Sequence, residues 1–578
     1  MCGIVGFVDA SGATQADLEH RVRALAGHLR HRGPDDEGVW VDAARGAALG
    51  FRRLAIMDLS PAGHQPMASA SGRHVLVFNG EVYNAPALRA RLAAGGATFR
   101  GHSDTEVLLA AIEAWGVAAT LPQVNGMFAF AVWDRDERTL TLARDRFGEK
   151  PLYVGWQGRT FFFASELTAL EHDPGFHGRV SPDAVQQFLT RGYVPGPASI
   201  YEGMAKLAPA SYVVVQPDRP GPLAPVPYWS AADVAAGEHG AAPSDDELLD
   251  VLRASVAMRL ASDVPLGALL SGGIDSSLVV ALAQEAAGQP VRTFTMGFGD
   301  ARFDEAAAAR AVAHHLGTDH HELVVSEADL LDAVPSLGAT YDEPFADSSQ
   351  LPTLLLCRLA RRDVTVALSG DGGDEVFAGY NRYVWWDRVH HRARHLPPAA
   401  RRAGARALLA VPDQGWAGAA SLVRAVRPGS QMAEARLGER ARKAALVLAE
   451  GDARTAYVQL LSPADPGRAP DPSRLPEPPA FGFVEQMMWW DTVGYLPDDV
   501  LTKVDRASMA SSLEVRAPYL DPEVFAAAWS LPLTAKVGGG QGKLPLRRLL
   551  RRYLPDDLVD RPKSGFGAPI GAWLRGPL

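Results

Sequence analysis

Residues 264–277 read Val264-Pro265-Leu266-Gly267-Ala268-Leu269-Leu270-Ser271-Gly272-Gly273-Ile274-Asp275-Ser276-Ser277. The opening seven form an apolar run of the length a buried strand needs, the glycines impose a turn, and an alanine-rich helical stretch follows over 278–287. A strand that turns through glycines into a helix is an anion cradle: bare backbone N–H groups converge there and the helix dipole favours negative charge. It is not a Walker A loop, because no Gly-Lys-Ser/Thr follows the glycines. Strands are also expected at 293–298, whose Met296 end would frame a base, and at 364–368, which runs into Ser369-Gly370-Asp371-Gly372-Gly373-Asp374-Glu375. Carboxylates at the C-terminal end of a parallel strand, beside a phosphate loop, are where a doubly wound sheet places its ligands. The expectation for this half is an α/β domain on a doubly wound parallel sheet with extra helices.

The other end opens Met1-Cys2-Gly3-Ile4. A small second residue favours removal of Met1, which would leave Cys2 as the first residue. Its own α-amine, with an ordinary pKa of about 7.7–8.0, would then serve as the base for the thiol. The apolar run 4–8 is expected to hold this cysteine at the end of a buried strand. Three polar segments follow among strand-like stretches: Arg30-His31-Arg32-Gly33-Pro34-Asp35, the segment 51–58 containing Arg53, and Asn79-Gly80-Glu81-Val82-Tyr83-Asn84 at the end of a strand. Gly101-His102-Ser103-Asp104-Thr105-Glu106 reads as a helix N-cap, and 126–134 and 140–145 as paired strands.

The 578 residues are 47% apolar, enough for several large cores, and the net charge of −10 argues against a nucleic-acid or anionic-membrane binder. With two cysteines there is no disulfide framework, so a cytoplasmic protein is expected. No signal-like or membrane-spanning run is present in the sequence. Cys357, in an apolar helical face at 354–359, is expected to be buried packing. The Arg/Ala-rich span 392–442 reads as a helical surface region, and the pairs Trp385-Trp386 and Trp489-Trp490 as helical packing around the second sheet.

Taken in order, Cys-Gly-Ile, Arg-His-Arg-Gly-Pro-Asp, Asn-Gly-Glu-Val-Tyr-Asn and Ser-Asp-Thr-Glu resemble the class II, N-terminal-nucleophile glutamine amidotransferase domain. The resemblance implies an αββα sandwich over 2–208, with Cys2 attacking the glutamine amide and Asn79 and Gly80 holding the oxyanion. It also implies that Arg53 binds the substrate α-carboxylate and that Glu81 and Asp104 bind its α-ammonium. A Pro- and Gly-rich stretch, 209–243, is expected to connect the domains. Ser-Gly-Gly-Ile-Asp-Ser-Ser resembles the pyrophosphate loop of enzymes that split ATP into AMP and pyrophosphate.

Both halves together, with 499–506, 514–521 and Gly542-Lys543 falling in order, resemble the glutamine-hydrolysing asparagine synthetase family. This implies a synthetase domain over 244–578 of the adenine nucleotide alpha-hydrolase type. ATP would be bound by Leu270, Ser271, Gly272, Gly273, Asp275, Ser276, Met296, Ser369 and Gly370. Mg²⁺ would be held by Asp275 and Asp374, with Lys543 neutralising phosphate charge and Asp371 serving the amide-forming step. The implied partners are small molecules (glutamine, ATP and aspartate or another carboxylate), with a homodimer compatible. A tRNA-modifying enzyme is disfavoured by the acidic balance and the lack of a Cys-x-x-Cys pair. A bare hydrolase or a non-catalytic scaffold is disfavoured because Cys2, Asp275, Asp374 and Lys543 are all present.

Two departures bear on the acceptor. Asp371 stands where aspartate-using members commonly carry glutamate, one methylene longer. The stretch Tyr341-Asp342-Glu343-Pro344-Phe345-Ala346-Asp347-Ser348-Ser349 replaces an arginine-bearing sequence and offers no basic residue before Arg358. L-Aspartate is the expected acceptor, with a sugar acid or a cell-wall or natural-product precursor as the alternative. The chain also stops at Leu578, soon after Gly571-Ala572-Trp573-Leu574-Arg575, where family members usually continue, and the expected loss is a terminal packing helix.

Overall fold

The computed structural model describes residues 2–9, 12–217, 219–237, 240–298, 306–386, 396–412, 453–461 and 471–561, with isolated positions between 415 and 445. Much of the 392–442 span and the whole 571–575 segment lie outside these residues. The described part of the former includes helix Pro398–Leu409.

The first half stacks two six-stranded antiparallel sheets. One runs in the order Met204–Lys206, Tyr153–Gln157, Thr160–Ala164, Cys2–Asp9, Ala47–Arg53, Asp36–Asp42. The other runs Val226–Pro227, Ser211–Val215, Thr139–Arg144, Gly126–Asp134, His74–Val82, Met67–Ala68. The apolar run after Cys2 is continuous because both its faces are covered. Cys2, Ile4 and Val8 enter the core between the sheets. Val5 and Phe7 face helix Gln15–Gly27 through Leu18, Val22 and Leu25. Helices Ala85–Ala94 and Asp104–Trp115 cover the second sheet through Leu88, Leu108 and Ile112 against Leu76 and Phe78. The layers are therefore αββα, as expected.

Strand Ser211–Val215 lies inside the stretch read as a connection, yet it pairs antiparallel with 140–143 and belongs to the sandwich. Its alternate residues Ser211, Val213 and Val215 are buried, which the surrounding Pro/Gly composition masks.

The second half is built on five parallel strands in the order Asp319–Val325, Arg292–Phe298, Leu266–Leu269, Val366–Leu368, Glu514–Arg516. Helix Ile274–Ala286 follows the glycine turn directly. One face of the sheet packs Leu278, Val280 and Leu368 in a core that also takes Trp386, Trp489 and Trp490, with Trp386 on Phe483 at 4.1 Å and Trp490 on Tyr457 at 5.1 Å. The other face packs Phe294, Met296 and Val515 on helix Gln350–Ala360, where Cys357 is fully buried and free. Among the described residues no single helix is long and apolar enough to cross a membrane.

The halves share a buried interface. Leu54, Ile56, Tyr83 and Met127 of the sandwich pack with Val366 and Met509 of the second domain. Beside them, fully buried Arg32 grips Asp505 with two bonds of 2.8 and 2.9 Å and Glu166 with one of 2.6 Å.

Candidate active sites

Cys2 opens its strand directly opposite Arg53 and is 8% exposed. Its N–H donates to Asn79 Oδ1 at 2.8 Å, and its carbonyl accepts from Arg32 Nε at 3.1 Å. Burial pushes the thiol up from its ordinary value, against the pull of the chain's amino terminus and Arg53. Asn79 is completely buried, and its Nδ2 has no hydrogen-bond partner. A buried amide left unsatisfied beside a nucleophile is costly unless something else uses it, and a developing oxyanion would do so. Gly80 brings the neighbouring strand close, since a Cβ there would sit 2.1 Å from the Met127 carbonyl.

Arg53 is wrapped by the following loop. It donates to the carbonyls of Met57, Asp58 and Ser60, and a Cβ on Gly63 would lie 2.0 Å from its Nη2. Asp104, in the first turn of its helix, accepts from Val82 N at 2.8 Å and Thr105 N at 2.7 Å. Burial raises both Glu81 and Asp104, and for Glu81 the neighbouring Asp104 adds to the effect. A buried acidic pair of this kind is short of positive charge, and an ammonium ion supplies it.

Arg516 of the second domain stands 3.4 Å from Glu81 while bonding Glu514 at 2.6 Å. Sequence reading placed it in the 514–521 segment of the other half and gave it no role at this site. Its carbonyl also accepts from Ser369 N at 2.9 Å, so one strand touches both sites.

In the second domain, Gly272 has φ +71°, and a Cβ there would press on the Ala308–Ala309 backbone at 2.8 Å. Glycine is thus required for the turn and for close helix packing. Ser271 and Ser276 hydroxyls lie 2.9 Å apart across the loop, and Gly273 N donates to Ser271 Oγ at 3.2 Å. Leu270 and Met296 are 1% exposed, and Leu270 N donates to the Phe294 carbonyl. The two signature loops fit glycine to aspartate: Cβ atoms on Gly370 and Gly373 would come within 2.9 and 2.7 Å of Asp275.

Lys543 closes this cluster. Its ammonium bonds Asp275 Oδ2 and lies 2.6 Å from Asp374 Oδ1. Its backbone is left-handed, with φ +55°, and its stem runs over Gly379, where a Cβ would meet Lys543 Cε at 1.9 Å. A non-glycine residue in that conformation carries strain of about 1–3 kcal/mol, which accumulates at functional sites. Two carboxylates converging on one point beside an anion loop are a hard-oxygen donor set that fits Mg²⁺ with phosphate oxygens completing its shell.

Loss of solvent around partly buried Asp371 raises its carboxyl, while Ser369 and Lys503 pull it down. Together with Val504, Asp505 and Val515 it lines a small pocket that Glu149 and Lys150 of the sandwich also line. Burial and Asp145 push Glu149 up to about 8. The residues 341–349 are largely committed to the interface. Asp342 accepts from Arg506 Nε at 2.8 Å and from Leu167 N at 2.9 Å. Glu343 accepts from Ile200 N at 2.7 Å and pairs with Lys206 at 2.9 Å. Asp347 alone of the three turns to Lys503.

These features define a two-domain class: a sandwich with a cysteine at the head of its first strand, joined through a buried interface to an α/β domain with a strand–glycine–helix loop. Residues 1–229 match the glutamine amidotransferase domain and residues 247–578 match asparagine synthase. The chain belongs to the asparagine synthase family, which uses ATP. It is 36% identical over 601 residues to a provisionally named glutamine-hydrolyzing asparagine synthetase of Mycobacterium tuberculosis, covering 100% of this chain and 88% of that one. It is 33% identical to glutamine-hydrolyzing asparagine synthetase 1 of Bacillus subtilis, again over 100% and 88%. With glutamine-hydrolyzing asparagine synthetase B of Escherichia coli it shares 32% over 66% of this chain and 65% of that one.

Proposed function

We propose that this chain is a glutamine-hydrolysing asparagine synthetase in which the residues above carry the two half-reactions. After Met1 is removed, the Cys2 α-amine takes the thiol proton and Sγ attacks the glutamine amide carbon, giving a thioester and releasing ammonia. Water then hydrolyses the thioester to glutamate. Arg53 holds the glutamine α-carboxylate, Glu81 and Asp104 its α-ammonium, and Asn79 with Gly80 the oxyanion.

In the second domain the acceptor's side-chain carboxylate attacks the α-phosphorus of ATP and pyrophosphate leaves. Ammonia attacks the acyl carbon of the resulting adenylate, losing a proton for which Asp371 is the nearby acceptor, and AMP departs. The Ser271–Gly273 loop and Ser276 cradle the phosphates, and Lys543 balances their charge. Asp275 and Asp374 would hold Mg²⁺, which when bound supplies charge neutralisation on the pyrophosphate.

The observation that carries this reading is the shared cavity. Its wall residue Asp505 is gripped by Arg32, which holds the carbonyl of Cys2, while Asp371 lies on the same cavity at the synthetase end. The interface that holds the Cys2 strand therefore also lines the pocket at Asp371, where the released ammonia would be used. The test is pyrophosphate release from Mg-ATP and ammonia, with and without L-aspartate, with the product identified by mass. Aspartate-dependent release with asparagine formed is expected. Release that ignores aspartate, in a protein that still hydrolyses glutamine, would assign the site to another carboxylate.

A further inference from the structure

The segment 341–349 lacks a cation of its own, and Arg358 is turned away, donating to Ser336 Oγ in an exposed position. The structure supplies a cation from helix Leu501–Met509, where partly buried Lys503 donates to Asp347 Oδ2 at 2.7 Å and Ser349 Oγ at 2.8 Å. Ser349 in turn donates to Asp347 Oδ1 at 2.8 Å. Asp499 approaches from the preceding π-helical stretch Asp491–Val500, a widened turn of the kind that often marks functional positions.

Two polar atoms here are unfilled. Asp499 is 7% exposed and its Oδ1 has no hydrogen-bond partner; the Tyr341 hydroxyl is likewise buried without one. A carboxylate oxygen and a phenol orphaned out of water each cost about 1–3 kcal/mol, which a bound polar group would recover. The charges around the gap are mixed. Lys503 is close enough to feel Asp347, Asp499 and Asp371. Burial and the facing Asp347 raise Asp499, whereas Lys503 holds Asp347 at about 2 against its burial. Residues flanking Lys503, Leu501 and Val504, line the same cavity as Asp371.

We propose that Lys503, Asp499 and Asp347 read the α-amino-acid head group of the acceptor, Lys503 taking its α-carboxylate and Asp499 its α-ammonium, an assignment that rests on the acceptor reading above. An acid bound this way places its side-chain carboxylate toward the Ser369–Asp371 loop, where ATP is attacked. Lys503 then does the work of the arginine that the 341–349 segment lacks. Recognition would select a free α-amino acid over simple carboxylates such as sugar acids.

The test is ammonia-dependent pyrophosphate release with aspartate, β-alanine (no α-carboxylate) and succinate (no α-amine). Wild type is expected to prefer aspartate over both. Lys503→Met should raise the aspartate KM about 10- to 100-fold, the worth of one charged hydrogen bond, and erase the preference over β-alanine. Asp499→Asn should erase the preference over succinate, and Lys503→Arg should recover part of the aspartate KM. Glutamine hydrolysis by the same variants, which reports that the chain is folded, should stay at the wild-type level. A Lys503→Met enzyme that keeps its preference for aspartate over β-alanine while only kcat falls would overturn the subsite alone. A wild-type enzyme indifferent to aspartate would overturn the acceptor reading and the subsite with it.

Discussion

Replacing Arg32 by methionine keeps most of the unbranched apolar stem and removes the guanidinium that ties the Cys2 strand to the synthetase half. Four bonds go: two to Asp505, one to Glu166 and one to the Cys2 carbonyl. Breaking a buried ion pair from one side costs about 3–5 kcal/mol, because the partner is left charged and dry. The lower end applies here, since Asp505 keeps Arg506 at 2.8 Å and Glu166 keeps His31 at 2.9 Å. A loss of about 3 kcal/mol at pH 7 is therefore expected.

The pH dependence gives a second handle. Burial raises Glu166, but His31 and Arg32 outweigh it and hold the group at about 2, below its ordinary 4.5. In the wild type its stabilisation is complete above pH 4.5 and lost as pH falls through 2. Without Arg32, both Glu166 and Asp505 move up, so protonation relieves the penalty as pH is lowered from 7 toward 5. Urea unfolding followed by tryptophan fluorescence at pH 7 and pH 5.5 measures both quantities, and the ratio of glutamate to asparagine formed should rise as the halves uncouple. A loss below about 1 kcal/mol at pH 7, or an equal loss at both pH values, would refute the argument.

Cys2→Ala should abolish glutamine-dependent synthesis and spare the ammonia-dependent reaction; loss of both would mean the two sites are not separable. Gly379→Ala drives a methyl group into Lys543 Cε and Asp374 Oδ1, at 1.9 and 2.1 Å, so pyrophosphate release should collapse while glutamine hydrolysis persists, and a fully active variant would remove Lys543 from the phosphate site. Because Glu81 and Asp104 are raised by burial and must be ionised to receive an ammonium, the glutamine KM should climb as pH falls from 8.5 to 6. Arg516→Met should start that climb at higher pH, since Arg516 lowers Glu81, and a KM independent of pH in both proteins would discard the acidic pair as the ammonium site.

Which parts of this were legible in the chain follows from the range of the forces involved. The strand–glycine–helix at 264–277, the nucleophile on an apolar first strand and the Ser-Asp-Thr-Glu cap are local features, written in a few consecutive residues by turn geometry, capping and periodicity. The acidic signature 369–375 was readable for the same reason, because a strand end and its glycines determine where those carboxylates emerge.

What the tertiary structure decided is which charges meet. Arg32 and Asp505 are 473 residues apart and Asp347 and Lys503 are 156 apart. Local sequence places these residues in motifs but names no partner for any of them, since a charged residue becomes paired only when packing removes it from water, and no periodicity records its partner. Strand Ser211–Val215 makes the same point for the backbone: its composition reads as a connection, and only the edge offered by 140–143 makes it a strand. The sequence by itself determined the two kinds of fold and the chemistry each could hold. The joining of the two sites, through Arg32 to Asp505 and Arg516 to Glu81, came from burial at an interface that no local stretch encodes.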